Sequence, residues 1–479
     1  MTPTSPKHRR AVVIGGGVAG MLAAAALADH AEKVTVIERD QLPDIPIPRK
    51  GLPQARHVHI LYSGGARAFE NLLPGVTERW LAAGARRIPL PTGLVSYMAQ
   101  GWLRRWSEMQ YMIACTRDLL DLVVRDRLMH QHPHVTLLQG HELLRLNGTA
   151  DRVTGVRVLG PDGRESDHQA DLVVDASGRG SRAPHWLTEL GIPTIEEAEV
   201  DSGLVYASRL YRAPTGSENF PLVNIQSDPN APAPGQTATI EPVEGGRWLV
   251  TLSGTRGGEP TDNPDEFEKF ARSIRHPVVG ELISMTTPLD RSVTVTRSTV
   301  NRRRYFEKAR TWPEGFVVVG DSVATYNPLY GQGMSVAAQG LIKLRDEVRL
   351  RGLAAPGLGR AAQRGIAEPA ATAWDLATSQ DILYPGAIGP QPRPGAGVAG
   401  RYVNRLMHTA TGRPAVCKAF FDVITLSRPV TSWGHPDTVV ASLRGPGRPP
   451  LTEPPLTKAE WAIAAGESGD TTPVKVTNS

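Results

Sequence analysis

The sequence predicts an α/β fold: a Rossmann-like unit with a parallel sheet, an inserted antiparallel sheet and a helical C-terminal cover. Three observations lead to this prediction. A strand, a glycine-rich turn, a helix and a second strand ending in an acid follow one another over residues 9–38. Continuous apolar runs at 171–175 and 316–320 are typical of buried parallel strands. Segments of alternating polarity at 203–211, 236–242 and 247–254 indicate antiparallel strands.

Length and composition set the class of protein. A chain of 479 residues is too long for one ordinary core, so two or three structural units are expected. Hydrophobic residues make up 40% and charged residues 21%, the balance of a soluble globular enzyme. The net charge is +5, but the basic residues do not gather into the stripe of a nucleic-acid-binding protein. Nucleic acid is therefore excluded as a partner.

The cysteines and the lengths of the apolar segments indicate in which cellular compartment the protein is expected. Cys115 and Cys417 predict neither a disulfide framework nor a cysteine zinc site, as expected of a reducing compartment. The polar N-terminal residues lack the apolar core of a signal peptide. Apolar runs are too short to cross a bilayer. We expect a cytoplasmic protein without a membrane span.

The first motif is Gly15-x-Gly17-x-x-Gly20, between a strand and a helix, with Glu38 at the end of the next strand. Gly15 permits the tight turn, Gly17 lets a pyrophosphate approach, and Gly20 lets the helix pack against the strand. The helix N-terminus attracts the phosphates, and the acid accepts hydrogen bonds from a ribose. This context predicts dinucleotide binding.

The same glycine pattern recurs at residues 395–400, where proline precedes it in place of a strand. No strand ending in an acid follows it. We interpret this second pattern as a flexible linker, so a second nucleotide-binding unit is not expected.

Two later motifs place polar groups at strand ends. Residues 171–182 (DLVVDASGRGSR) bring Asp175 to a turn, where a ligand contact and a plain turn carboxylate are equally open. Residues 315–334 (GFVVVGDSVATYNPLYGQGM) bring Asp321 to the carboxyl edge of a parallel sheet, where open α/β sheets bind ligands. Gly331 and the residues after it open a helix whose N–H groups would face an anion.

In this order, the three motifs are similar to those of the FAD-dependent aromatic hydroxylases and squalene-epoxidase-like monooxygenases, over roughly residues 9–375. Residues 49–59 resemble a bacterial subgroup that includes the flavin epoxidases of polyether-ionophore biosynthesis, which act on linear polyenes. The resemblance implies FAD as cofactor and dioxygen as co-substrate. It also implies NADPH or NADH as reductant, acting directly or through a separate flavin reductase.

The resemblance assigns roles to the motif residues. The glycine turn would hold the pyrophosphate and Glu38 the adenosine ribose, while Asp321 would bind the ribityl or pyrophosphate part. The helix start at 331–334 would lie at the pyrimidine edge of the isoalloxazine and stabilise negative charge on reduced flavin. The implied cofactor residues are Gly15, Gly17, Val18, Ala19, Gly20, Glu38, Arg39, Arg49, Arg117, Leu143, Asp321, Gly331, Gln332, Gly333 and Met334.

The resemblance also implies discontinuous domains. Two stretches would be inserted into the cofactor domain to form the substrate domain, and the C-terminal residues would form a helical, proline-rich cover. The expected bounds are 8–80, 114–200 and 300–380 for the FAD-binding domain, 81–113 and 201–299 for the substrate domain, and 381–479 for the cover.

Aromatic and methionine side chains concentrate within residues 97–112, in segments that alternate as strands do. Large polarizable side chains suit an apolar, flexible substrate, although ordinary core packing explains such a cluster nearly as well. Tyr326 and Pro328 are two further candidates near the third motif. The predicted pocket candidates are Tyr97, Trp102, Trp106, Met109, Tyr326 and Pro328.

Two histidines, His57 and His59, lie in the segment beside the expected flavin. With no third ligand evident, we interpret them as hydrogen-bonded residues that position this segment, and we predict no metal site. No catalytic acid or base is predicted, because the flavin carries the chemistry.

The favoured function is a monooxygenase of antibiotic biosynthesis that epoxidises alkenes of a linear polyene or polyketide through a flavin 4a-hydroperoxide. A phenol-type aromatic hydroxylase of secondary metabolism is the first alternative, although the sequence reveals no polar group to activate a phenol. An FAD-dependent prenyl or alkene reductase is the second. A flavin halogenase would require a WxWxIP segment, which Trp102 and Trp106 do not match.

Overall fold

The computed structural model describes residues 9–297, 299–390 and 396–467. In the described ranges, strands and helices alternate in the first part of the chain, strands dominate its middle and helices its end. The strands are β1 (Arg10–Ile14), β2 (Lys33–Glu38), β3 (Ile60–Tyr62), β4 (Arg86–Leu90), β5 (Leu94–Met98), β6 (Gly101–Trp102), β7 (Gln110–Ala114), β8 (Val135–Gln139), β9 (Glu142–Gly148), β10 (Val153–Leu159), β11 (Glu165–Gln169), β12 (Leu172–Asp175), β13 (Glu197–Val200), β14 (Val205–Arg212), β15 (Leu222–Ile225), β16 (Gln236–Val243), β17 (Arg247–Gly254), β18 (Thr287–Pro288), β19 (Thr294–Thr296), β20 (Asn301–Arg304), β21 (Phe316–Val318) and β22 (Ala324–Thr325). The α-helices are α1 (Val18–Ala28), α2 (Ser63–Leu72), α3 (Val76–Ala82), α4 (Arg117–Gln131), α5 (Ala183–Glu189), α6 (Pro264–Ser273), α7 (Val278–Ser284), α8 (Gly333–Arg351), α9 (Leu358–Asp381), α10 (Ala396–Ala410), α11 (Pro414–Ile424), α12 (Pro436–Arg444) and α13 (Lys458–Ala464).

The parallel sheet has the strand order β21–β12–β1–β2–β8. All four neighbouring pairs are parallel. Strands β21, β12, β1 and β2 are buried on both faces beyond their first residues, which explains their continuous apolar sequences, whereas the edge strand β8 is mostly half-buried. Helix α1 consists almost entirely of alanine and leucine because it packs tightly between this sheet and helices α4 and α8. The predicted α/β fold with its Rossmann-like unit is confirmed.

The larger sheet runs β18–β14–β17–β16–β15–β5–β6, with β19 also paired to β14. Its hydrogen-bonded pairs are antiparallel except for β15 with β5. Helices α6 and α7 cover one face and form a core with its apolar side chains, around the fully buried Trp248. The other face turns toward His57 and Val58 and toward Asn327 in the segment before α8.

The C-terminal helices close a third core. Helices α10 and α11 pack on the small sheet β3–β7–β4 through residues such as Leu406 and Phe420. Helix α13 packs against the core of the larger sheet, and Glu460 pairs with both terminal nitrogens of Arg105 at 2.7 and 2.8 Å. None of the helices in the described ranges combines the length and apolarity needed to cross a bilayer.

Several local predictions were wrong. The sequence pattern predicts a helix over 60–73, but its first residues form strand β3. It also predicts a strand hairpin around 135–146, but β8 joins the parallel sheet beside β2. The apolar pattern of roughly residues 401–427 predicts one helical stretch, but the structure has two helices there, α10 and α11. Helices α12 and α13 form in the proline-rich segment, because proline is tolerated before a helix and in its first turn.

The linker interpretation of the second glycine pattern is also wrong where the structure describes it. Gly397 and Gly400 belong to α10, while Gly395 lies outside the described residues. The composition of the last dozen residues predicts disorder, but residues 468–479 also lie outside the described ranges. The helix forms despite two glycines because Leu406 and neighbouring residues bury their side chains against α11.

Candidate functional site

The turn after β1 contains two glycines at which the surrounding chain leaves no room for a side chain, and one, Gly17, at which it does. Gly15 has φ +99°, and a Cβ there would lie 2.6 Å from the carbonyl oxygen of Ala176. A Cβ on Gly20 would lie 1.7 Å from the carbonyl oxygen of Gly15. At Gly17, in contrast, the one described atom within 4 Å of a Cβ is Nη2 of Arg49, at an ordinary contact distance of 3.5 Å.

Gly17 is also the N-cap of α1 in an extended conformation, and no side chain caps the helix. The N-terminal N–H groups, beginning at Val18 and Ala19, thus face the same space as the missing Cβ. A glycine without a packing role, at an uncapped helix start beneath a guanidinium, fits the close approach of a diphosphate.

Glu38 ends β2 and is buried beside this turn. Its Oε2 accepts a hydrogen bond from the backbone N–H of Gly16 at 2.7 Å, and its Oε1 accepts one from that of Asp40 at 2.9 Å. Nη1 of Arg49 lies 3.2 Å from Glu38 Oε2 and 3.7 Å from Asp40 Oδ2. The guanidinium therefore bridges the acids and the helix start, while the neighbouring Arg39 is exposed.

A cleft continues from the turn toward α4. The pKa of Asp118 on its wall is raised to about 6, first by burial and then by the neighbouring charge of Asp121. Apolar side chains of the 42–52 loop face acidic and basic side chains of α4, as a purine with a ribose requires. The cleft is lined by Gly16, Leu42, Pro43, Ile45, Ile47, Arg49, Leu52, Asp118, Asp121, Leu122 and Arg125.

Arg117 opens α4 after the N-cap residue Thr116, whose side chain accepts a hydrogen bond from the N–H of Leu119 at 3.4 Å. Nε of Arg117 donates to Asp121 at 2.5 Å. Burial, and after it the charge of Arg117, lowers the pKa of His59 to about 3. The backbone N–H of Thr116 also donates to Oε2 of Glu244 at 2.9 Å, which joins the start of α4 to the turn between β16 and β17.

Asp321 follows β21 at the carboxyl edge of the parallel sheet. Burial raises its pKa, and the charges of Arg117 and Arg179 oppose this shift. The residue nevertheless keeps part of its surface accessible. A deep but accessible carboxylate at a sheet edge, beside cations from two other elements, is suited to a ligand.

The start of α8 lies next to this carboxylate. A Cβ on Gly333 would lie 3.8 Å from Asp321 Oδ1, and a Cβ on Gly331 (φ +62°) 3.2 Å from the ring of Tyr62. Gln332 is buried, and its Nε2 donates to the carbonyl of Ile424 at 3.1 Å. Its Oε1 is buried without a partner among the described residues, so a donor from a ligand would stabilise it.

These groups together fit FAD. The turn and Arg49 suit its pyrophosphate, the cleft its adenosine, and Asp321 with the helix start its flavin half. Two predicted residues stand apart from them: Leu143 packs in the core of the β9–β10 pair, and Met334 is partly buried in α8.

The histidines have the hydrogen-bonded environment that the sequence predicted. His57 is buried, with Nδ1 2.7 Å from Oγ of Ser208 and Nε2 2.7 Å from Oγ1 of Thr296. Burial lowers its pKa to about 4. Nδ1 of His59 lies 2.8 Å from the carbonyl of His57. Among the residues described, no three histidine, cysteine or acidic side chains are placed to share a metal ion.

The face of the larger sheet turned toward these histidines carries a row of polar side chains, which we call the polar row. Strand pairing aligns its five members directly across β14, β17, β16, β15 and β5. All are buried except one, which is half-buried. The polar row consists of Ser208, Thr251, Thr239, Asn224 and Ser96.

Hydrogen bonds link members of the polar row. Oγ of Ser208 lies 2.6 Å from Oγ1 of Thr251, and Nδ2 of Asn224 donates to Thr239 at 2.7 Å. The backbone N–H of Val58 donates to Thr251 at 3.0 Å. Oδ1 of Asn224 is buried without a partner in the described part of the chain, so this row retains an acceptor for a ligand.

The predicted pocket residues do not lie together. Tyr97 and Trp102 pack against each other, with ring centroids 4.7 Å apart, in the core beneath α6 and α7. Trp106 and Met109 pack against the core formed with the C-terminal helices. Tyr326 is buried and donates to the carbonyl of Ala370 at 3.3 Å, while Pro328 is exposed.

Asp175 is a satisfied turn carboxylate. It is fully buried and accepts hydrogen bonds from the Ser177 N–H at 2.9 Å and from the hydroxyls of Ser177 and Ser181, both at 2.5 Å. Of its two open interpretations, the geometry therefore favours the turn.

Sequence reasoning missed the polar row. Polar alternation in β16 and β17 was visible, but alternate polar positions normally face solvent, and nothing local indicates that another part of the chain covers them.

Comparison with known proteins places this fold and site in a family. The FAD binding domain family matches residues 9–367, and the chain belongs to it, among the aromatic-hydroxylase-like flavin monooxygenases. Protein Rv3254 of Mycobacterium tuberculosis is 31% identical over 409 residues, 81% of this chain and 83% of its own. Kynurenine 3-monooxygenase of Salinispora arenicola is 27% identical over 355 residues, 71% of this chain and 72% of its own.

Among solved structures, pqsL, a probable FAD-dependent monooxygenase from Pseudomonas aeruginosa, superposes with a TM-score of 0.55. It is 17% identical and covers 78% of this chain and 94% of its own. At this identity the likeness concerns the fold alone.

Proposed function

We propose that the protein is an FAD-dependent monooxygenase that inserts one atom of dioxygen into a small organic substrate. The observation that carries the proposal is Gly17, a glycine that packing does not require, at an uncapped helix start beneath Arg49. Family membership and the 27% identity to a kynurenine 3-monooxygenase support it. FAD, reduced by NADPH or NADH directly or through a flavin reductase, supplies the activation of dioxygen.

The residues of the chain bind, orient and shield. Arg49 and the start of α1 would hold the pyrophosphate, and Glu38 the ribose. Asp321 would orient the flavin half, and the N–H groups that begin α8 would stabilise negative charge on the reduced ring. The larger sheet contacts residues 57–58 and Asn327, and it would shield the flavin half from water, which favours oxygen transfer over reoxidation without product.

The polar row bears on the substrate. The family resemblance and the aromatic and methionine cluster together predict epoxidation of a linear polyene, but Tyr97 and Trp102 of that cluster lie on the far side of the sheet. The face toward the proposed flavin carries hydroxyl and amide groups, among them the unpaired Oδ1 of Asn224. This favours a substrate with hydrogen-bonding substituents, as in the aromatic-hydroxylase alternative, over a plain polyene.

Gly17→Ala tests the cofactor site. The new methyl group meets no backbone, so the apoprotein should keep its free energy of unfolding, while FAD affinity should fall by roughly tenfold or more because the pyrophosphate is pushed away. Fluorescence titration with FAD measures this. Gly20→Ala is the matched control, because its Cβ would collide with Gly15 and destabilise the fold itself. An unchanged FAD dissociation constant in Gly17→Ala would contradict the assignment.

Turnover tests the reaction. The flavoprotein is reduced anaerobically, mixed with oxygenated buffer and given kynurenine, a simple phenol or a linear polyene as probe. A product heavier by one oxygen atom establishes monooxygenase activity. The amount of this product formed from each probe shows which class of substrate the protein prefers. Hydrogenation of the polyene without oxygen consumption would instead establish the alkene reductase.

A further inference from the structure

A buried carboxylate at the end of α9 lies outside the cofactor residues described above. Asp381 is fully buried and beyond residue 367, where the family match ends. Its Oδ2 accepts a hydrogen bond from Nδ2 of Asn301 at 2.7 Å, and its Oδ1 accepts one from the hydroxyl of Tyr330 at 3.0 Å. Nδ2 of Asn327 lies 3.0 Å from both carboxylate oxygens.

Asn327 also forms hydrogen bonds with residues of strands β20 and β14. Its backbone N–H donates to Oδ1 of Asn301 at 2.6 Å, and its own Oδ1 accepts from the N–H of Leu329 at 3.0 Å. The same Oδ1 accepts from the hydroxyl of Tyr206, on the polar face of the larger sheet, at 2.9 Å. The ring of Tyr206 in turn lies 5.6 Å from that of His57.

The donors around Asp381 keep their protons. Burial, and after it the charge of Asp381, raises the pKa of Tyr330 and of Tyr206 well above the ordinary value. No cation is among the groups that set the pKa of Asp381, which burial raises and the three donors lower. Burying a carboxyl group among neutral donors adds little to the free energy of folding. We therefore attribute to Asp381 a role in fixing the positions of the residues that donate to it.

The segment held by this network, Asn327–Tyr330, leads directly into Gly331 and the start of α8. We propose that Asp381 is a positioning residue, which holds this segment so that the start of α8 faces the flavin. It also joins the segment to the larger sheet, because Asn327 contacts both Asp381 and Tyr206. This inference rests on the proposed function, since it assumes that FAD lies at the start of α8.

The test compares Asp381→Asn with Asp375→Asn in the holoprotein. Asp375 lies on the same helix and is exposed, so it is a matched control for the loss of a carboxylate from α9. Asp381→Asn should raise the FAD dissociation constant by roughly tenfold and change the visible circular dichroism and absorption of bound flavin. Asp375→Asn should leave both unchanged.

Tyr330→Phe provides a milder variant if Asp381→Asn does not fold, since it removes one donor and keeps the ring. It should change the flavin spectrum in the same direction, and Asp381→Glu should restore less than the wild-type signal because the longer side chain displaces Asn327.

The outcomes separate the two proposals. A wild-type protein that binds no FAD overturns the proposed function, and the positioning role with it. A wild-type protein that binds FAD, with variants that lose thermal stability but keep its flavin spectrum and dissociation constant, overturns the positioning role alone. Asp381 would then be an ordinary structural residue.

Discussion

The two faces of the larger sheet are both buried but differ in chemistry. On the face under α6 and α7, Ala238 and Ile240 of β16 and Trp248, Val250 and Leu252 of β17 contribute to an apolar core. On the opposite face of the same strands, positions one residue away carry the hydroxyls of Thr239 and Thr251 and the carboxyl of Glu241. Burial of the first face stabilises the fold, whereas the second face carries polar groups whose burial is unfavourable unless they are hydrogen-bonded.

This difference indicates where function is concentrated. Burying polar groups opposes folding, so a protein keeps them where they contact another part of the chain or a ligand. Here they contact residues 57–62 and the segment before α8, both beside the proposed flavin site. Substitutions on the two faces should therefore separate stability from ligand binding.

The largest effect is expected on the apolar face, at Trp248. Its side chain is fully buried, with its ring 4.8 Å from that of Phe220. Trp248→Ala should lower the free energy of unfolding by about 3–5 kcal/mol, measured by urea denaturation, because it leaves a large cavity. Under native conditions the folded fraction should bind FAD as tightly as the wild type. If Trp248→Leu, a milder variant, folds normally but binds FAD poorly, the division between the faces is wrong.

A smaller, pH-dependent effect is expected at Glu241 on the polar face. Its carboxyl oxygens have no hydrogen-bond partner among the described residues, although the N–H of His59 points toward them. Burial raises its pKa well above 4.5. The folded protein therefore keeps a proton that the unfolded chain loses above that pH.

It follows that Glu241 lowers stability as pH rises from about 4.5 toward its folded pKa, by roughly 1.4 kcal/mol for each pH unit. Glu241→Gln should remove this loss, so the variant should be more stable than the wild type at pH 8 and similar to it at pH 4.5. Denaturation at both pH values measures the effect, with the exposed Glu78→Gln as control. A constant difference between wild type and variant across this range would show that Glu241 is ionised in the fold.

The smallest effect compares neighbours on opposite faces of β16. Thr239→Val removes the hydroxyl that accepts from Asn224 and should cost about 1 kcal/mol of stability. It should also weaken binding of kynurenine, used as a polar aromatic probe, by roughly fivefold. Ile240→Val should cost a similar amount of stability without changing probe affinity. Equal changes in kynurenine affinity for both variants would contradict the proposal that the polar row contacts the substrate.

Much of the cofactor unit was predictable because its signals are local. Gly15 and Gly20 are required by contacts with residues near them in the chain or on the adjacent strand, and β1, α1 and β2 follow within about thirty residues. The cap at Thr116 is equally local. The separation of the pocket candidates within 97–112 into two cores was not predictable, because alternation shows two faces of a strand without showing which one the helices will cover.

By itself, the sequence determined the strand–turn–helix that suits a dinucleotide, the family resemblance and the alternation of the antiparallel strands. Only the tertiary structure decided that β8 joins the parallel sheet, that the polar face of the larger sheet is buried, and that Asp381 reaches Asn301 across 80 residues. The physical reason is that turns and periodicity depend on neighbours in sequence, whereas the burial of a face depends on which distant segment packs against it.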